Sequence, residues 1–259
     1  MTKKTLTIAS WNVNSLPVRA PQVLQWFTEK SIDVLAVQET KVPDEKFPTQ
    51  AFIDLGLHIA FSGQKTYNGV AIISRYPLTD VFIEEDQVLE RRIIAATVEG
   101  IRLIDLYVPN GSHLTSDKYT YKLAWLKQVT TFIADELTRY PKLAVVGDFN
   151  IAPQDLDVHD PQEWLDCVLC SPEERAALAN IQDLGLQDSF RHIYPELAAY
   201  SWWDYRAASF RRNRGLRIDL VLLSDALQAC CQDAGIDKTP RQSERPSDHA
   251  PVWATVGLA

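Results

Sequence analysis

The sequence predicts an α/β fold of mixed sheets, on three observations. Short apolar runs rich in β-branched residues recur along the 259 residues, the mark of buried strands. Between some of them the period of the apolar residues becomes helical, most clearly over residues 116–140. Other neighbouring runs leave no room for a crossover helix, so antiparallel pairs must stand beside parallel ones.

Residues 6–11 alternate like a half-buried strand and end in Asn12-Val13-Asn14. Pro21 then opens an amphipathic helix in which Val23, Leu24, Phe27 and Ile32 share a face. Residues 33–40 read as a buried strand with Glu39 at its exit. Residues 69–74 and 92–98 are further strands, and 101–108 is another, leading into the turn Pro109-Asn110-Gly111. Between 116 and 140, Tyr119, Leu123, Leu126, Thr130, Ile133 and Leu137 follow i+3 and i+4 steps, so a long helix packs on one face. Residues 142–146 form the next strand, which ends at Gly147 and presents Asp148 and Asn150. An Asp-rich stretch to Asp166 reads as loop. Ser171-Pro172-Glu173-Glu174 is a capping box with proline at the first helical position, and the helix it starts ends near Gly185. The aromatic cluster at 201–205 is followed by Arg206, Arg211, Arg212, Arg214 and Arg217, then by a strand over 218–223 bearing Asp219. Ser247-Asp248-His249-Ala250 precedes a closing strand over 251–256. No repeat, low-complexity tract or linker interrupts the chain, so one domain is expected over residues 1–259.

No stretch approaches the ~20 apolar residues that cross a bilayer. Residues 1–5 run straight into a strand-like segment without a signal-peptide core. Cys167, Cys170, Cys230 and Cys231 are few for this length, which points to a reduced, cytoplasmic setting. Zinc at Cys167 and Cys170 would need two more ligands, and the adjacent Cys230-Cys231 pair is poor geometry for that. Incidental thiols are the reading adopted. A net charge of −8 argues against a protein that mainly coats nucleic acid. It leaves room for an enzyme with a local basic strip and an acidic metal site.

In an extended chain, residues i and i+2 point the same way, so Asp148 and Asn150 set an acceptor beside an orientable amide. That pairing can hold and aim a water. A plain strand-to-turn exit would also use Gly, Asp and Asn, but the pattern recurs. Asn12, Asn14, Glu39, Tyr107, Asn110, Asp148, Asn150, Asp219, Asp248 and His249 all fall at strand exits or entries. In layered α/β proteins such ends share a crevice. Glu39 and Asp248 are hard oxygen ligands that suit Mg²⁺. His249 beside one Asp, with Asp219 available across the site, makes a charged or well-oriented imidazole. Phosphodiester hydrolysis needs these parts: an aimed nucleophile, neutralised phosphoryl oxygens and help for the leaving oxygen.

The segments Trp11-Asn12-Val13-Asn14, Gln38-Glu39-Thr40-Lys41, Tyr107-Val108-Pro109-Asn110-Gly111 and Gly147-Asp148-Phe149-Asn150 carry a resemblance, together with Asn213-Arg214-Gly215-Leu216-Arg217-Ile218-Asp219 and Ser247-Asp248-His249-Ala250-Pro251-Val252. They resemble the exonuclease III family of DNA-repair AP endonucleases, within the endonuclease/exonuclease/phosphatase superfamily, over residues 7–256. Gly-Asp-Phe-Asn and Ser-Asp-His mark the superfamily at large. Gln-Glu-Thr-Lys, Trp-Trp-Asp-Tyr-Arg and Arg-Gly-Leu-Arg-Ile-Asp resemble the bacterial exonuclease III branch.

The resemblance implies a four-layer sandwich of two packed mixed β-sheets flanked by helices. It implies that Glu39 ligates Mg²⁺, with Mn²⁺ able to substitute, and that Asn12 and Asp248 lie close to the metal. Asp148 would orient or deprotonate the attacking water, with Asn150 holding it and the phosphate. His249, oriented by Asp219, would bond a phosphoryl oxygen, and Tyr107 and Asn110 would contact the scissile phosphate. Asn14 stands where relatives carry Asp, which leaves one charge fewer for a second metal ion. Trp202, Leu216 and Ile218 sit where relatives form an apolar pocket for an extruded abasic sugar, and Val168 and Cys170 would shape it. Arg212 and Arg214, within the strip from Arg206 to Arg217 and with Lys41, Arg91 and Arg92, would grip phosphates.

The expected function is Mg²⁺-dependent DNA repair by a monomer acting on damaged double-stranded DNA in the bacterial cytoplasm, at the nucleoid. The enzyme would cut 5′ to abasic sites, remove 3′-blocking groups and remove 3′ nucleotides as a 3′–5′ exonuclease. Two alternatives stand beside it. One is a 3′-end-processing exonuclease or phosphatase with little abasic-site activity. The other is a catalytically silent DNA-end binding module, against which the full set of polar strand-end residues argues.

Overall fold

The computed structural model describes residues 4–84 and 90–258; of the N-terminal run read above, Met1, Thr2 and Lys3 lie outside them. The elements, in chain order, are β1 (Thr5–Asn12), α1 (Leu16–Glu29), β2 (Val34–Gln38), α2 (Thr49–Ile53), β3 (His58–Ser62) and β4 (Val70–Ser74). There follow β5 (Thr79–Ile83), β6 (Ile93–Val98), β7 (Ile101–Tyr107), α3 (Asp117–Arg139), β8 (Leu143–Asp148) and α4 (Pro172–Gln182). The last third adds β9 (Leu186–Asp188), α5 (Ser189–Ile193), β10 (Asp219–Ser224), α6 (Asp225–Gln228), β11 (Cys231–Ile236) and β12 (Val252–Gly257).

The strands form two six-stranded sheets, ordered β11-β12-β1-β2-β4-β3 and β5-β6-β7-β8-β10-β9. Each sheet has one parallel pair, β1 with β2 and β7 with β8, joined by α1 and α3 as crossovers; the other pairs are antiparallel. Ile8, Val34 and Ile72 of one sheet meet Leu103, Val146 and Val221 of the other in a central apolar layer. The outer faces are covered by α1, through Val23, Trp26 and Phe27, and by α3 and α4, through Trp125, Val129, Leu178 and Ile181. The result is the four-layer sandwich. Inner strands are buried on both faces, which is why they read as continuous apolar runs.

Several elements differ from expectation. Helix α1 starts at Leu16, five residues before Pro21, with Pro17 in the first turn, where its missing N–H costs nothing. Pro21 lies inside that helix, and Ile32 lies beyond its end. Strands β3, β5, β9 and β11, which no apolar run announces, are the edge strands of both sheets. Helix α3 buries Lys122 and Glu136 on its inward face, where a charge is not expected. The Ser171–Glu174 capping box is present. The four cysteines are free thiols. Among the described residues, no helix is long and apolar enough to cross a membrane.

Register brings the strand ends to one rim. Asn12 pairs with Gln38 in parallel, and Tyr107 with Asp148. Asp219, the first residue of β10, pairs with Asp148, the last of β8. The start of β12 meets the end of β1 through Val252 and Ser10. Just inside the rim Gly147 adopts φ +143°, and a Cβ there would stand 1.9 Å from the Leu106 carbonyl oxygen. Backbone cannot yield as a flexible side chain can. Gly147→Ala is therefore expected to destabilise by ~2–3 kcal/mol, lowering the melting temperature by roughly 5–10 °C in a thermal scan. An unchanged melting temperature would show that β7 and β8 separate at little cost.

Candidate active site

The rim holds a cleft of about 310 Å³. Of the expected residues, Glu39, Tyr107, Asn110, Asp148, Asn150, Trp202, Ile218, Asp248 and His249 line it. Asn14, Glu39, Lys41 and Asn150 all take left-handed backbone angles, φ +45° to +53°. Strain of this kind concentrates at functional sites and needs support from the surroundings. Here Ser15 N–H donates to the Glu39 carbonyl (2.8 Å) and Lys41 N–H to that of Asn68 (3.0 Å).

Asp148 is 1 % exposed. Its Oδ2 accepts from Asn12 Nδ2 (2.9 Å) and Asn150 Nδ2 (3.2 Å), and its Oδ1 from the Asn150 backbone N–H (2.9 Å). Burial raises its pKa above the usual carboxylate range, opposed chiefly by the charge on His249. Asn12 Oδ1 accepts from the Asn14 backbone N–H (3.0 Å), so its Nδ2, a donor, faces Asp148 and Glu39 Oε1 (2.9 Å). Asn12 thus joins two carboxylates through its Nδ2. Asn150 is likewise spent on the protein, accepting from Asn110 Nδ2 (3.1 Å) and donating to the Val108 carbonyl (3.0 Å).

Ligand atoms of Glu39, Asp148 and His249 lie within 4.8 Å of one another. The donor chemistry fits a divalent cation at the carboxylates, whose oxygens are hard ligands. His249 belongs to that group by distance, while its carboxylate neighbours favour the charged imidazolium. Its Nδ1 donates to Asp219 Oδ2 (2.9 Å), and its Nε2 stands 3.8 Å from Asp148 Oδ2. Burial works against that charge, but Asp219 and then Asp148 outweigh it and raise the His249 pKa. Asp248, expected at the metal, lies outside the group. Burial opposes its charge too, yet His249 and bonds from Trp202 Nε1 (3.0 Å) and Asn14 Nδ2 (3.0 Å) hold its pKa below the usual value. Lys41 Nζ bridges Glu39 Oε2 (2.7 Å) and Asn14 Oδ1 (2.5 Å).

Some site residues carry no motif signal. Ser201, fully buried, donates to Asp219 Oδ2 (2.6 Å) and accepts from the Ile218 and Asp219 N–H groups (3.1 Å each). Trp164 and Leu169 complete the cleft wall with Val168, and Trp164 packs edge-on to Trp202 at 6.3 Å. Leu216 is fully buried in the cluster behind this wall, Cys170 is largely so, and neither lines the cleft. A second cleft of about 400 Å³ shares Tyr107 and Asn110 with the first and adds Arg92 and Lys118. Burial raises the Tyr107 pKa well above normal, and the charge of Glu39 adds to this. The arginine strip divides. Arg206, Arg211 and Arg212 are exposed, Arg214 is paired with Glu163, and Arg217 is buried between Asp157 (2.7 Å) and Asp188 (2.7 Å). Arg217 is thus a core cation and no part of a phosphate grip.

Replacing Asp219 by Asn keeps its shape and removes the charge behind His249. The His249 ring should then lose its proton at a pH lower by about 1–3 units, read by NMR titration of the imidazole. A ring that titrates as before would assign its charge to other groups.

Residues 9–249 match the Endonuclease/Exonuclease/phosphatase family. The chain is 36% identical to "Exodeoxyribonuclease III" of Haemophilus influenzae, covering 95% of this chain and 97% of that protein. Among solved structures it is similar to the 3′ phosphatase NExo from Neisseria bound to a product DNA hairpin, with TM-score 0.95, 47% identity and 98% and 100% of the two chains covered. It is also similar to an AP endonuclease from Archaeoglobus fulgidus, with TM-score 0.93, 38% identity and the same coverage. With its fold and strand-end carboxylates, the chain belongs to the exonuclease III branch of the endonuclease/exonuclease/phosphatase family and is a nuclease.

Proposed function

We propose that the whole chain is one catalytic domain that hydrolyses phosphodiesters of damaged double-stranded DNA with Mg²⁺, Mn²⁺ serving in its place. It would act as a monomer in the bacterial cytoplasm, cutting 5′ to abasic sites and removing blocking groups and nucleotides from 3′ ends. The observation that carries the reading is the buried Asp148 carboxylate, held by two amides 3.8 Å from a His249 cation. Asp148 would take a proton from water as the water oxygen attacks phosphorus; its raised pKa suits a base that works near neutrality. Asn12 and Asn150 keep its oxygens aimed. The His249 Nε2–H would donate to a phosphoryl oxygen as charge builds there, and Tyr107 and Asn110 would bind the same phosphate. Glu39 would hold the cation, which would supply Lewis acidity toward the phosphate oxygens and the leaving 3′ oxygen. Arg92 and Lys118 line the second cleft and would meet neighbouring phosphates, as would Arg212 and Arg214.

The test compares rates on an abasic duplex, a 3′-phosphate nick and a recessed 3′ end, each with and without EDTA. Chelator-sensitive cleavage is expected, and Asp148→Asn should cut turnover at least ~10²-fold with DNA affinity nearly unchanged. A variant that loses only affinity would remove Asp148 from the chemistry. DNA binding without any EDTA-sensitive cleavage would favour the silent end-binding module.

A second reading, 3′-end processing with little abasic-site activity, is favoured by the wall. Trp164, Val168 and Leu169 line the cleft with Trp202 and Ile218 and pack with them in one apolar cluster. A flipped sugar must pack against that cluster, whereas a 3′-phosphate need not. On either reading Trp202 sorts substrates. Trp202→Ala should therefore weaken abasic-site cleavage far more than 3′-phosphate removal. Equal losses in a fully folded variant would make Trp202 a packing residue.

A further inference from the structure

Lys122 and Glu174 are each 0 % exposed, one on α3 and the other on α4. The Lys122 ammonium donates to the backbone carbonyls of Asn150 (2.6 Å) and Asn110 (3.2 Å) and to Glu174 Oε1 (2.5 Å), so its three donors are all used. Glu174 in turn accepts from the Leu169 N–H (3.1 Å), the Ser171 N–H (3.1 Å) and the Ser171 hydroxyl (2.7 Å). One buried pair thus reaches three separate loops, and each supplies a residue to the cleft: Asn110, Asn150 and Leu169. Gly111 closes the arrangement. At φ +95°, a Cβ there would lie 3.0 Å from Val168 Cγ2 and 3.2 Å from Lys122 Cδ.

A buried ion pair is a weak source of stability, because desolvation cancels most of the attraction. An apolar pair of similar volume would join α3 to α4 as well. It would not donate to two carbonyls, nor tie them to the third loop. We propose that Lys122 and Glu174 are a positioning pair that fixes these three loops in common, and so sets turnover of the bound substrate more than its affinity. The inference rests on the cleft being the phosphodiesterase site and adds to it what holds that site in shape.

The double variant Lys122→Met/Glu174→Gln tests this, since it removes both charges and leaves neither buried alone. We expect a folded protein whose kcat on the 3′-phosphate nick falls at least ~10-fold, while KM and DNA affinity change less than about threefold. Amide hydrogen exchange should quicken together in residues 108–112, 149–152 and 168–171, and stay slow in the middle of α3 and α4. A folded double variant with wild-type kcat, or faster exchange in one loop only, would overturn the proposal. Should the double variant not fold, Glu174→Gln alone decides. It keeps Lys122 and one acceptor oxygen, and is expected to lose about threefold in kcat with faster exchange at 168–171. No change in either would overturn the proposal. If the wild-type protein cleaves no DNA, the proposed function fails, while the exchange pattern still decides the role of the pair.

Discussion

The site depends on one costly act, the burial of the Asp148 carboxylate. Out of water, an anion is tolerated only with donors and opposite charge around it. Asn12, Asn150 and His249 supply them, from the end of β1, the loop after β8 and the approach to β12. Each supplier needs a further support. Asn12 is oriented by the Asn14 N–H, His249 by Asp219, and Asp219 by the Ser201 hydroxyl. The network therefore fixes both sheets at their shared rim and holds the Asp148 carboxylate in the wall of the cleft. A second polar link lies deeper, where Gln38 Nε2 joins Ser10 Oγ (2.9 Å) to Asp105 Oδ1 (2.6 Å) across the two sheets. Burial pushes the Asp105 pKa far up.

How much of this could be read from the sequence follows from where side chains are buried on both faces. The inner strands show as apolar runs because neither face meets water. All four edge strands lack a continuous buried run: β3 has only two buried residues, β5 has three exposed ones, β9 has three residues in all, and β11 carries a bulge between Cys231 and Asp233. Pro21 misled because proline is a stronger signal of a helix start than of a helix interior, and in α1 packing overrides it. The polar strand ends were legible because Asp, Asn, Glu and His at the end of an apolar strand have few structural excuses. Lys122 was illegible because lysine at a helical position is nearly always solvated, and only the three carbonyl and carboxylate partners reveal why it is inside.

Part of the cleft wall escaped for a different reason. Trp164 and Leu169, like the expected Val168, belong to an irregular segment, where no period marks which side chain turns inward. Their position comes from bonds such as the Ala152 N–H to the Leu169 carbonyl (2.8 Å), formed between segments remote in sequence. Motifs mark the chemistry that the site performs. The space left for a substrate is set by loops that carry no motif, and that is why family membership is plain here while substrate preference remains a proposal.

Charge completes the picture of what DNA would meet. The chain is acidic, at −8, and many of its cations are already held by its own carboxylates. These pairs are not equivalent. Arg217 lies between two buried aspartates, and withdrawing it would strand both charges, which is prohibitive. Arg214 is paired with Glu163, whose side chain is 47 % exposed, and an exposed pair contributes only ~0–1 kcal/mol. A DNA phosphate could take over such a partner at almost no cost. On the proposed function, the basic strip seen in the sequence therefore reduces to Arg206, Arg211 and Arg212, with Arg214 joining once a phosphate displaces Glu163.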